Sequence, residues 1–302
     1  MHLDPLRPFT RAQAVAAGIT DRQLRGSRYV QLLGGYYISS AVTDLARERT
    51  RAALMLHPAG AVATHFSAAR LRKVPIPPQA VEHVSVARPE DRRHRHGLRC
   101  HVAAIAAEQI EVIDGIRLSA PHQMFLELAS QLSLVELVVV GDWLVRHGWT
   151  TCADLVEFCD STHQRYAKRA RAAAAYVRPR VDSPMETRLR MLLVLAGLPE
   201  PQVNLKIRHE DGGILLRFDL CYPEVKVAVE YDGRQHVETL EQWERDVERR
   251  DDTDGWRVVT VTSKGIYKEP ARTIARVERA LVERGWRGRL RLRDDWRPYF
   301  GR

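Results

Sequence analysis

The chain has 302 residues, 47 Lys and Arg against 38 Asp and Glu, a formal charge of +9 and 45% apolar residues. That length suits two domains or three, the apolar fraction excludes a disordered chain, and the Arg-rich surplus favours polyanions over acidic partners. No run is long and apolar enough to span a bilayer, no basic-then-apolar leader opens the chain, and four cysteines without Cys-x-x-Cys spacing read as reduced thiols of a cytoplasmic protein.

Thr10 caps a first helix, Arg11 to Ala17, which Gly18 ends, and Thr20 caps a second, Asp21 to Arg28. Tyr29 to Leu33, the turn Gly34-Gly35 and Tyr36-Tyr37-Ile38 then read as a two-stranded wing. Residues 1–40 are therefore expected to form a winged helix-turn-helix. Its second helix presents Arg22, Gln23, Arg25 and Arg28 either to a major groove, where guanidinium and amide groups match guanine and adenine edges, or to solvent as a polar face.

Residues 41–162 read as a mixed α/β domain. Helices are expected at 43–56 and 64–72. Alternating strands follow at 82–87, 98–102 and 111–118, the last split by Asp114-Gly115, and then three more helices at 121–132, 134–146 and 151–160. The loop 88–96 carries Arg92, Arg93 and Arg95 among four arginines, a natural contact for backbone phosphates. Of the twelve histidines, His94 and His96 share that loop, His101 lies on a strand, and His57, His65 and His83 are scattered. None has metal-ligand spacing, so each is read as solvated or hydrogen-bonded, and the domain shows no catalytic constellation.

A helical linker at 163–181 leads to a last domain, 182–288, followed by a basic tail, 289–302. Ser183 caps the helix Pro184 to Ala196, with Glu186 in its first turn. Leu215 to Cys221 and Val225 to Tyr231 read as strands joined by a Tyr-Pro-Glu turn, Gly255 to Val261 as a third, and Glu269 to Arg284 as a closing helix. The tail, with Trp296, Tyr299 and Phe300, reads as a mobile terminus or a stacking clamp on nucleic acid. Asp219, Glu230 and Asp232 lie within the apolar strands. A carboxylate there is costly to bury unless a cation compensates it, and the ten residues between Asp219 and Glu230 close a hairpin that brings both to one end of adjacent strands.

Asp219, Glu230, Asp232, Gly233, His236, Asp246, Arg249 and Gly255-Trp256-Arg257-Val258-Val259 resemble the restriction-endonuclease-like, PD-(D/E)xK domains related to very-short-patch repair endonucleases. Asp232 stands where the larger superfamily has Lys; the repair-type branch often lacks that Lys and carries a His downstream, as His236 does. The resemblance implies a mixed sheet flanked by helices. It also implies Mg2+ or Mn2+ held by Asp219, Glu230 and the Tyr231 carbonyl, with catalytic roles for Asp232, His236 and Glu186, the last matching an extra acid on the leading helix. Ala17-Gly18, Leu24, Arg25 and Gly35-Tyr36-Tyr37 resemble the winged helix of type IV abortive-infection antitoxins, and 41–162 resembles their middle part.

The expectation is thus an α/β (α+β overall) protein acting on double-stranded DNA in the cytoplasm, at the nucleoid, with a cognate toxin or a second copy as partner. Two activities follow. One is a metal-dependent endonuclease of phage defence or repair; the other is an antitoxin-like transcriptional regulator whose nuclease-type domain is inactive.

Overall fold

The computed structural model describes residues 3–208, 214–233 and 255–301, without the side chains of 208 and 214–216. The chain is α+β and divides into two units, 1–131 with 164–167, and 132–163 with 168–302.

In the first unit, β1 (Phe9–Thr10) leads into α1 (Arg11–Ala16) and α2 (Asp21–Leu24), then β2 (Tyr29–Gln31) and β3 (Tyr36–Ser39) form the wing. The three strands pair in the order β1-β3-β2, and Phe9, Ala14 and Leu24 pack beneath Tyr29 and Tyr37. Both helices begin at threonine caps, as their sequences require. The wing does not end a separate core at residue 40: Leu32, Tyr36 and Ile38 pack on Ala52 of α3 (Leu45–Met55), and the Tyr36 hydroxyl donates to the Met55 carbonyl at 3.2 Å.

β4 (Val62–Ala63), α4 (His65–Leu71), β5 (Glu82–Val86), β6 (Leu98–Val102), β7 (Ile110–Ile113), β8 (Ile116–Ser119) and α5 (Pro121–Leu128) complete the unit. The sheet order is β6-β5-β4-β8-β7, with β5 and β6 parallel. Asp114 (φ 50°) and Gly115 (φ 73°) turn β7 into β8, the left-handed pair that a tight hairpin needs. Along β5, Val84 and Val86 face a core with Leu33, Ala53 and Cys100, which leaves His83 and Ser85 on the opposite face.

The second unit begins earlier than its sequence suggests, because α6 (Leu134–Arg146) and α7 (Cys152–Ser161), expected in the middle domain, belong to it. Polar pairing explains this. Glu136 accepts both guanidinium nitrogens of Arg188 at 2.7 and 2.9 Å, and Asp142 accepts from Arg190, Thr187 and the Arg178 N–H, each at 2.8 Å. The expected linker helix shortens to α8 (Ala167–Ala174). Then come α9 (Pro184–Leu195), β9 (Gln202–Arg208), β10 (Ile214–Tyr222), β11 (Val227–Asp232), β12 (Arg257–Thr262), α10 (Ser263–Tyr267) and α11 (Pro270–Glu283).

The second unit's sheet runs β12-β11-β10-β9, antiparallel except for β11 and β12, with α9 against β10 and β11, and α11 against β11 and β12. β9 is a strand the sequence reading did not include. The tail packs against its domain: Trp296 and Phe300 are buried, which takes both rings out of stacking, and the Arg293 N–H donates to the Ala196 carbonyl at 2.9 Å. Gly197 (φ 83°) passes so close that an added Cβ would collide with the Arg291 carbonyl.

Candidate functional site

Pairing of Leu220 with Val229, Cys221 with Ala228 and Tyr222 with Val227 makes Asp219 and Glu230 the next residues along β10 and β11, at the same end of the pair. There Asp219 reaches across: its Oδ2 accepts the Tyr231 N–H at 3.0 Å. Glu186 arrives from the first turn of α9, whose N-cap Ser183 accepts the Glu186 N–H at 3.2 Å. Its carboxylate accepts the Asp182 N–H and the Asn204 side-chain amide, each at 3.0 Å. Burial, and next the neighbouring charge of Asp219, push Glu186 up to about 7. Glu230, Tyr231 and Asp232 are half-buried on the same strand end.

A positive frame surrounds the acids. Arg217, two residues before Asp219 and so on the same face of β10, donates to Asn204 Oδ1 at 3.0 and 3.1 Å and pairs with Asp182, which also pairs with Arg146. The structure therefore gathers Glu186, Asp219, Glu230, Tyr231 and Asp232 at one sheet end. His236, Asp246 and Arg249 lie outside the described residues. The donors suit magnesium or manganese: oxygen ligands, two of them acids that repel each other until a dication intervenes, and a cation that keeps several waters needs no closed ligand cage.

The expected DNA-facing residues fare differently. α2 is a single turn, and Gln23 is committed to its cap: Oε1 accepts the Thr20 N–H at 2.8 Å and its hydroxyl at 3.0 Å, so this oxygen is taken up within the chain. Arg22, Arg25 and Arg28 are exposed. In the 88–96 loop Arg93 and Arg95 donate to carbonyls of the loop itself, while Arg92 lines a cavity of about 660 Å³.

That cavity borders a cluster that sequence spacing concealed. His65 opens α4 straight after β4, His83 lies on β5 and His101 on β6, three strands adjacent in the sheet, and the register sets His101 beside Ser85 on the same face as His83. His83 Nδ1 and His101 Nε2 are 3.0 Å apart, and the rings of His65 and His101 stack at 3.9 Å. Among the described residues these three are the one group of His, Cys, Asp and Glu whose ligand atoms all lie within 4.8 Å of one another. Burial, then neighbouring imidazoles and Arg99, lower His65 to about 2 and His83 to about 3; burial and then Arg99 lower His101 to about 4. All three rings are neutral at physiological pH. Glu127, buried beside them and pushed up to about 7 by that burial, accepts the His65 N–H at 2.9 Å and the Ser119 hydroxyl at 2.8 Å.

No family model matches the chain. Two proteins of Mycobacterium tuberculosis are similar to it: Uncharacterized protein MT2308 of strain CDC 1551 / Oshkosh and Uncharacterized protein Rv2248 of strain ATCC 25618 / H37Rv. Each is 27% identical over 179 residues, 57% of this chain and 65% of the relative. The chain thus spans less than two thirds of their length. No helix among the described residues is long and apolar enough to cross a membrane.

Proposed function

We propose that the second unit is a metal-dependent endonuclease and that the winged-helix part of the first unit holds its substrate, double-stranded DNA, in phage defence or repair at the nucleoid. One observation carries this: Asp219 and Glu230 stand at the same end of two adjacent strands, and the charge of Asp219 reaches Glu186, buried in the first turn of α9. Repulsion of that kind is retained where a cation is to be bound.

Asp219 and Glu230, with the Tyr231 carbonyl, would hold Mg2+ or Mn2+. Such an ion polarises a non-bridging phosphate oxygen and lowers the pKa of a coordinated water. Glu186, raised to about 7 by burial and the charge of Asp219, would hold or give up a proton beside the ion's site. Arg217, steadied by Asn204 and Asp182, brings to the face of Asp219 the positive charge that Asp232 does not supply. Arg22, Arg25 and Arg28 pair with backbone phosphates and fix the duplex without reading its sequence.

The test is nicking of supercoiled plasmid in Mg2+ or Mn2+ by the purified chain and by Asp219→Ala. Cleavage by the intact chain alone supports the reading; equal cleavage by both removes it. Duplex binding without cleavage by the intact chain would leave the antitoxin-like regulator.

A further inference from the structure

We propose that His65, His83 and His101 form a binding site for a transition-metal dication of the zinc class, open on one side to the adjoining cavity, where an anion completes the coordination. This site lies in the first unit and is independent of the acids on the second unit's sheet.

Four observations converge. First, the ligand chemistry fits: three imidazoles with ligand atoms within 4.8 Å of one another are nitrogen donors of the type that zinc, cobalt and nickel prefer. Second, the spacing is close to that of a filled site. The 3.0 Å between His83 Nδ1 and His101 Nε2 compares with roughly 3.3 Å for two nitrogens each about 2.0–2.1 Å from a tetrahedral zinc. The His65 and His101 rings lie 12° from parallel, so capture of an ion turns one of them about its side-chain torsions.

Third, the backbone is held in an unfavourable form at the site. His65 has φ 48° and Tyr166, across the cavity, φ 71°, a region that costs a residue with a Cβ about 1–3 kcal/mol unless the surroundings enforce it. Here they do: Glu127 grips the His65 N–H and Thr64 Oγ1 stands 3.1 Å from its Nδ1. A cluster kept for packing alone would be cheaper as apolar side chains, which need no partners for buried ring nitrogens.

Fourth, access and charge agree with an open coordination position. The cavity of about 660 Å³ touches His65 and His101 and is lined by Arg92, Arg99 and Arg165. Those guanidinium groups oppose a bare dication and favour one carrying an anion such as phosphate, carboxylate or hydroxide. Glu127 Oε2 lies 3.9 Å from His65 Nδ1 on the buried side, where it can hold that ring in place.

The experiment uses the untagged full chain, stripped of metal by EDTA and titrated with Zn2+ and, separately, Co2+. Calorimetry, the visible absorption of bound Co2+ and the melting temperature are followed. One ion per chain is expected, with a Co2+ spectrum of nitrogen ligation and a higher melting temperature on loading. His101→Gln, at the least buried of the three, and His83→Gln are each expected to weaken binding by at least about 100-fold, since loss of an outer partner alone costs about 10–100-fold. His147→Gln, at an exposed histidine of the second unit, leaves the nitrogen-ligated ion unchanged, and plasmid nicking reads the acids of the second unit separately. Failure of the nuclease reading therefore leaves this result intact. Circular dichroism in EDTA checks that the variants fold, and where one does not, the Co2+ spectrum of the intact chain decides. No stoichiometric binding to the intact chain, or unchanged affinity in a folded His101→Gln, overturns the proposal.

Discussion

The acids at the end of the second unit's sheet and the imidazoles of the first unit are both gathered where neighbouring strands lie side by side, yet burial acts on them in opposite senses. It raises Glu186 to about 7, so that this carboxyl is caught between charged and neutral, and it lowers His65, His83 and His101 until they carry no charge. Burial favours the neutral form of either kind of group. The consequence differs because a neutral imidazole is already a ligand, whereas a protonated carboxyl must lose its proton first. Two regions made by the same means are thus prepared to different degrees for a cation.

The largest expected effect separates the two directly. Asp219→Ala lowers Mg2+-dependent nicking by at least about 10³-fold, the rate equivalent of several kcal/mol of charge stabilisation, while the nitrogen-ligated Co2+ spectrum of the histidine site stays as it was. Loss of both together would show that the regions are not independent. Next comes Arg190→Met. Arg190 and Asp142 are 0% and 2% exposed, and an unpaired buried carboxylate costs about 3–5 kcal/mol, read from urea unfolding. Replacing Asp142 by Leu as well should recover most of that loss, which would show that the second unit tolerates buried charge only when it is paired.

Glu186 gives a pH test of the same contrast. Its folded value, about 7, lies above the ordinary 4.5, so the folded state holds the proton more tightly between these values. Without metal, stability is then full below about pH 4.5 and falls as pH rises through about 7, by up to about 3 kcal/mol. Glu186→Gln flattens that slope, and in the intact chain Mg2+ binding tightens over the same range. An unchanged slope in the variant would show that Glu186 does not carry this titration. The smallest effects are at the winged helix. Thr20→Ala removes the cap of a one-turn helix for about 1 kcal/mol, and Arg22→Ala with Arg25→Ala lowers the slope of log affinity against log salt by about 2 if each meets a phosphate.

The acidic hairpin was legible because its information is local: Asp219 and Glu230 are joined by one turn, and the run Val227 to Val229 is apolar enough to mark a buried strand. The histidines were not. His65, His83 and His101 stand eighteen residues apart in sequence, and only the order β6-β5-β4 brings them together. One clue existed: along Glu82-His-Val-Ser-Val the histidine alternates with core valines, which puts it on a face that something else must cover.

Along β9, outside the sequence reading, Val203, Leu205 and Ile207 alternate, and Asn204 between them holds φ 50° and binds Glu186. Gln23 shows the converse limit. Its residue type suits a base edge, but the cap three residues back has the first claim on it. In the tail, five arginines and three aromatic residues left a mobile terminus or a clamp open, whereas Trp296 and Phe300 are buried.

The seating of that last segment has a practical consequence. The run from Arg291 to Phe300 braces the far end of the helix whose first turn carries Glu186, with Gly197 as the tight spot between them. Trimming 291–301, or giving Gly197 a side chain, would loosen the acidic hollow from behind while leaving every residue in it unchanged.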